Sequence, residues 1–173
     1  MYEVGIFGST ASVPIEHIHI APALGASTVK ELADLADAIV LVEVKGISEA
    51  RWNSTDGRRW GEPGMTSFIY RDTPVSVVRL IRGVAPPAFS LRLVGGVADG
   101  VDMDFEAGGP EVTLGDHYLV FLERLDFPTQ GGTEASWTAV RLAQGMYRRV
   151  SGGWFDDVQQ LTVRDTDLSV LSE

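Results

Sequence analysis

From Thr73 to Gly96 the chain reads TPVSVVRLIRGVAPPAFSLRLVGG, and its apolar positions predict two strands joined by a turn. In the second strand Phe89, Leu91 and Leu93 alternate with Ser90 and Arg92, the two-residue period of a strand with one buried face. The first, from Pro74 to Arg82, carries Val75, Val77 and Ile81 on one side and Val78 and Leu80 on the other, so part of it should lie under another layer. Between them Pro86 and Pro87 have no amide hydrogen to give and Gly83 tolerates a positive φ, so the chain must turn over 83–87.

Similar patterning extends along the chain. Thr28 to Ala36 predicts a short helix, with Thr28 and Glu31 at capping-box spacing and Val29, Leu32 and Leu35 or Ala36 forming an apolar stripe. Ala38 to Val44 is a core strand whose Val42 and Val44 point inward, and Tyr118 to Glu123, apolar on both faces, is a central strand. Trp137 to Ala143 alternates, with Thr138, Val140 and Leu142 on one face. Gln144-Gly145 then suggests a hairpin into Met146 to Val150, and Gly152-Gly153 a second one before Trp154-Phe155. Leu161 and Val163 mark a last strand, with Asp165 or Thr166 placed to cap a final helical turn.

The intervening stretches are loops by composition: Gly46 to Met65, which contains WNSTDGRRWGEPG, and the glycine-rich, acidic Gly95 to Pro110, with at most a short strand inside it. Residues 1–27 form an extended lead-in that packs loosely or pairs at an edge through Val13 to Ala21; residues 28–173 form one domain. Six or seven strands linked by hairpins predict an all-β fold, a closed or partly open antiparallel barrel of five to six strands with one or two short helices. A β-sandwich is the alternative.

Composition narrows the function. The net charge of −10 disfavours duplex nucleic acid and anionic membrane surfaces as partners, and no apolar run approaches the ~20 residues of a membrane helix. The absence of cysteine excludes disulfides, thiol nucleophiles and cysteine-bound metal. The opening MYEVGIFGSTASVP has no basic residue and no continuous apolar segment, so it does not read as a signal peptide; for an exported protein the signal would be missing from this chain. The low lysine count, Lys30 and Lys45 beside twelve arginines, reads as coding bias.

The order AIVLVEV, long loop, TPVSVVRLIRG, APPAFSLRLVGG, acidic loop, GDHYLVFLE and QGMYRRV resembles uncharacterised bacterial extracytoplasmic domains with a barrel of OB type, similar to netrin-like and metalloprotease-inhibitor modules. The resemblance spans about Thr28 to Val150 and implies an OB-type barrel working outside the cytoplasm. Those inhibitors present an N-terminal cysteine to their target's zinc. This chain has none, so inhibition does not carry over.

Each chemical constellation has a plainer alternative. His17 and His19 of EHIHI would share a strand face and, joined by His117, could form a three-histidine metal site beside Glu16, the basis of a metal-assisted hydrolase reading; otherwise they line an exposed strand edge. Asp99, Asp102, Asp104 and Glu106 offer oxygen ligands for Ca²⁺ without EF-hand order, or form a solvated acidic loop. Asn53-Ser54-Thr55 matches a glycosylation sequon. GxSxG, the P-loop and GxGxxG do not occur. Trp52, Trp60 and Tyr70 could stack on a sugar or nucleobase, or plug a barrel end.

The sequence therefore reads as a non-catalytic, extracytoplasmic binding or protein-interaction module with no catalytic residue, cofactor or metal. Its contact surface would lie at Trp52, Trp60 and Tyr70, and its partner would be a protein or a glycan rather than nucleic acid, with no insertion into a membrane. A carbohydrate or small-ligand site in the same loop is the alternative.

Overall fold

The computed structural model describes residues 15–20, 27–54, 56–59, 68–105, 111–128, 135–141, 144–157 and 160–172. In chain order the strands are β1 (Glu16–Ile20), β2 (Ala38–Val44), β3 (Arg51–Trp52), β4 (Ile69–Gly83), β5 (Ala88–Val94), β6 (Gly96–Ala98), β7 (Val101–Phe105), β8 (His117–Pro128), β9 (Ala135–Ala139), β10 (Met146–Val150), β11 (Gly153–Asp156) and β12 (Leu161–Arg164). One α-helix, α1 (Val29–Leu35), precedes β2. Among the described residues no helix is long and apolar enough to cross a membrane.

Five strands close into a barrel. β2 pairs antiparallel with β4 and β8, β4 with β5, and β8 with β9, and the ring closes where β5 and β9 pair in parallel. The ring order β2-β4-β5-β9-β8 is compatible with an OB-like barrel. Beyond β8 the sheet continues outside the ring through β10, β11 and β12, while β1, β7 and β6 form a separate three-stranded sheet.

The alternation in β2 explains why both of its faces are buried. Ala38, Val40, Val42 and Val44 enter the barrel with Val75, Leu91, Leu93, Val120, Leu122 and Trp137. Ile39 on the other face joins Leu119, Phe121, Tyr147, Trp154 and Val163 in a second core, beneath α1. The helix starts on the capping box that the sequence offers: the Thr28 amide donates to the Glu31 carboxylate at 2.8 Å, and the Glu31 amide donates to Thr28 Oγ1 at 3.2 Å. Leu32 and Ala33 are its buried positions and Ala36 packs beside them, whereas Leu35 is exposed.

β4 departs most from expectation. It begins at Ile69 and is fifteen residues long, pairing with β5 only over Tyr70 to Ser76 before running on along β2. Irregularities in the β2 pairing, between Ile39 and Val40 and between Leu41 and Val42, break the alternation, so Val75 and Val77 face the barrel core but Ile81 joins the core under α1. Val78 and Leu80 are left 55% and 46% exposed, so burial of both faces ends there. The turn itself needs Gly83: its φ is +79°, and a Cβ would stand 2.1 Å from the Asp37 carbonyl oxygen.

Three further expectations are corrected. β9 and β10 do not form a hairpin with each other; both pair antiparallel with β8, β10 along Tyr118 to Val120 and β9 from Leu122 onward, and between them the Val140 amide donates to the Phe121 carbonyl while the Phe121 amide donates to that of Gly145, each at 2.8 Å. Within the acidic stretch after Gly95, residues 96–105 form a hairpin of two strands, β6 and β7, rather than a loop with at most one short strand. Of two 3-10 turns near the end of the described residues, Asp165–Asp167 and Val170–Ser172, the first is capped through Arg164, whose amide donates to Asp167 Oδ2 at 3.3 Å, not by Asp165 or Thr166. The expected hairpin at Gly152-Gly153 does join β10 to β11, and within the lead-in Glu16 to Ile20 pairs in parallel with β7.

Candidate functional site

On the outer face of β4 and β5, opposite the barrel core, four side chains lock together. Asp72 and Arg92 are register partners, and the Arg92 guanidinium donates through Nε and Nη2 to the two carboxylate oxygens of Asp72 at 2.9 and 3.0 Å. Arg92 is only 5% exposed, and its carbonyl accepts from Thr138 Oγ1 of β9 at 2.8 Å, which ties the pair to the strand that closes the barrel. Ser48 fixes the Asp72 backbone from the preceding segment, with Oγ donating to the carbonyl at 2.6 Å and accepting from the amide at 2.9 Å.

Tyr70 stands one pleat earlier on the same face of β4. The Arg92 guanidinium carbon lies 3.9 Å from its ring centre and that of Arg51, its register partner on β3, 5.3 Å away. Arg51 also reaches Asp72 Oδ2 at 3.3 Å through Nη2, and its side chain remains 42% exposed. Two guanidinium groups therefore share one carboxylate. The Tyr70 hydroxyl is buried and makes no hydrogen bond, although Tyr70 is itself only 1% exposed.

Two of the three residues expected at the aromatic contact surface are buried. Trp52 is fully buried among Ile69, Val101 and Met103 beneath the small sheet, with the Arg59 guanidinium 5.3 Å from its ring, and offers no face to a ligand. Tyr70 is covered in the same way by its arginines, and Trp60 lies outside the described residues.

EHIHI is engaged strand by strand. Glu16 accepts from Arg59 at 2.8 and 3.2 Å, and that hydrogen-bonded cation holds its carboxyl below the usual range. His17 Nδ1 lies 3.4 Å from Asp102 on β7, its register partner, and His19 is in register with Asp104. His117 opposes Glu43 on a different sheet from His17 and His19. Among the described residues no three histidine or carboxylate side chains gather closely enough to hold a metal. Asp99 occupies the β6–β7 turn at φ +50°, Asp102 and Asp104 follow on β7, and Glu106 is outside the described residues. In the sequon, Asn53 Oδ1 accepts from the Phe68 amide at 3.0 Å and Ser54 is buried, so the acceptor amide is part of the fold.

Sequence reasoning missed Arg51, Asp72 and Arg92. The available signal was charge: among registers for the hairpin, the observed one sets Arg92 opposite Asp72, whereas closing Gly83 directly on Ala88 would set Arg92 opposite Arg79.

Compared with known proteins, the chain matches no family model, no curated protein and no solved structure.

Proposed function

We propose that this protein is a non-catalytic binding module of bacterial surfaces, with an OB-type, netrin-like barrel, and that its contact face is the outer side of β4 and β5 together with the segment from β3 to β4. Trp52 serves the core; Arg51 beside it meets the partner. OB-type barrels bind with this part of the fold, the face of their second and third strands and the loop joining the first two, which in this ring are β4, β5 and residues 45–68.

One observation carries the reading: Arg51 is held over Tyr70 by a single hydrogen bond to Asp72 while 42% of its side chain stays open to solvent. Behind it Arg92 is buried, paired with the half-buried Asp72 of β4 and bonded through its carbonyl to Thr138 of β9, so the exposed cation stands on a rigid platform. A protein of net charge −10 has a surface that repels polyanions, which favours proteins or glycans over nucleic acid.

The test compares native protein with Arg51→Glu on glycan and peptide arrays, with Arg148→Glu, on β10, as the surface-charge control. Loss of the bound set with Arg51→Glu alone supports the reading. Identical sets for native protein and Arg51→Glu place the contact face elsewhere.

A further inference from the structure

We propose that the group recognised at this face is a single carboxylate, taken up by the Arg51 guanidinium and the Tyr70 hydroxyl. The inference rests on the contact face described above and names its ligand chemistry.

Charge and hydrogen-bond accounting point the same way. Arg92 is matched by Asp72 through two hydrogen bonds, so the positive charge of Arg51 is the local surplus. Arg51 spends one N–H on Asp72, at the long distance of 3.3 Å, and a guanidinium has five. Its planar fork matches a carboxylate, which can accept two parallel N–H bonds. Tyr70 adds a donor: its hydroxyl is buried without a hydrogen bond, an arrangement that costs stability until an acceptor arrives. Arg92 and Arg51 both lie over the Tyr70 ring, so a ligand that draws the exposed Arg51 guanidinium outward removes one of the two groups covering that side chain. One surplus charge suits a monoanion, and the acidic remainder of the chain opposes a polyanion.

The test is an NMR titration that follows arginine side-chain N–H signals and the amides of Tyr70, Asp72 and Arg92. The probes are N-acetylglutamate α-amide against N-acetylglutamine α-amide, and galacturonate against galactose. Arg79, exposed on β4 away from this cluster, serves as the internal reference for nonspecific ion pairing. The expected result is saturable shifts at Arg51 with an acid probe, at least about tenfold tighter than at Arg79 and absent with its neutral counterpart. The tighter of the two acids identifies an acidic peptide or a uronic acid as the source. Tyr70→Phe should weaken that binding about tenfold without loss of folding stability, which a purely structural hydroxyl would not do.

Equal shifts with acid and neutral probes, or equal response at Arg51 and Arg79, overturn the carboxylate while leaving the face in use. Array ligands that bind without moving any signal of the cluster overturn both the carboxylate and the face.

Discussion

Arg92 and Asp72 face each other across β4 and β5, joined by two hydrogen bonds of 2.9 and 3.0 Å, with the arginine 5% exposed. A guanidinium so deeply placed depends on its carboxylate, since removal of one partner from a buried pair leaves the other uncompensated. Asp72→Asn should therefore destabilise the fold by about 3 kcal/mol, the low end for buried pairs because the Asp72 side chain keeps 19% exposure. In urea titrations the double variant Asp72→Leu/Arg92→Met should recover most of that loss. A cost below about 1 kcal/mol for the single variant would show that the pair is solvated like a surface salt bridge.

Trp52 belongs to the core beneath the small sheet, so its replacement acts on stability. Trp52→Ala should cost about 3–5 kcal/mol by urea denaturation, through lost contacts with Ile69, Val101 and Met103 and the cavity left behind. A variant that folds with native stability and loses ligand would return the ring to the contact surface.

Two carboxylates should shape the pH dependence of stability with opposite signs. Burial, reinforced by Asp37, pushes Glu123 above its ordinary 4.5. Its charged form is disfavoured by the fold, so its contribution is greatest below pH 4.5 and is lost as pH rises through the folded value. Glu123→Gln should accordingly raise Tm at pH 7 and leave it nearly unchanged at pH 4. Asp165 is held below 3.8 by the Arg149 guanidinium; its stabilising contribution is present above that value and fades as pH falls through the lower folded value. Asp165→Asn should lower Tm at pH 7 and converge with native protein in strong acid. Thermal melts across pH 2–8 check both, and parallel curves for variant and native protein would contradict them.

Gly83 and Gly152 share a positive φ, +79° and +78°, but not their surroundings. A Cβ at Gly152 meets nothing within 4 Å, while one at Gly83 would collide with the Asp37 carbonyl. Gly152→Ala should cost about 1 kcal/mol from backbone conformation alone, and Gly83→Ala should cost clearly more, because the turn must open to admit the methyl group. Equal losses in denaturant titrations would show that the turn yields freely.

The barrel was legible because its strands are apolar where they are buried: Val40, Val42 and Val44 of β2, Leu91 and Leu93 of β5 and Val120 and Leu122 of β8 all fill its core. Helix α1 was legible for a local reason, since Thr28 and Glu31 complete their capping box within one turn. The register of β4 against β5 was hidden, because a proline-rich turn suggests tight closure, whereas β4 continues past Ser76 along a strand remote in sequence. The site was hidden with it: Asp72 and Arg92 are twenty residues apart and become partners only in that register. The burial of Trp52 was equally out of reach, since its cover comes from β7, fifty residues on.

The contact face can be located by crosslinking, because these 173 residues include no cysteine and a single introduced thiol is unique among them. Ser90, exposed on the outer face of β5, and Thr162, exposed on β12 toward the other end of the large sheet, would each be changed to cysteine and given a photoreactive label. Each labelled protein is then illuminated with the strongest array ligand. The account predicts efficient crosslinking from position 90 and little from position 162; crosslinking from 162 with none from 90 would contradict it.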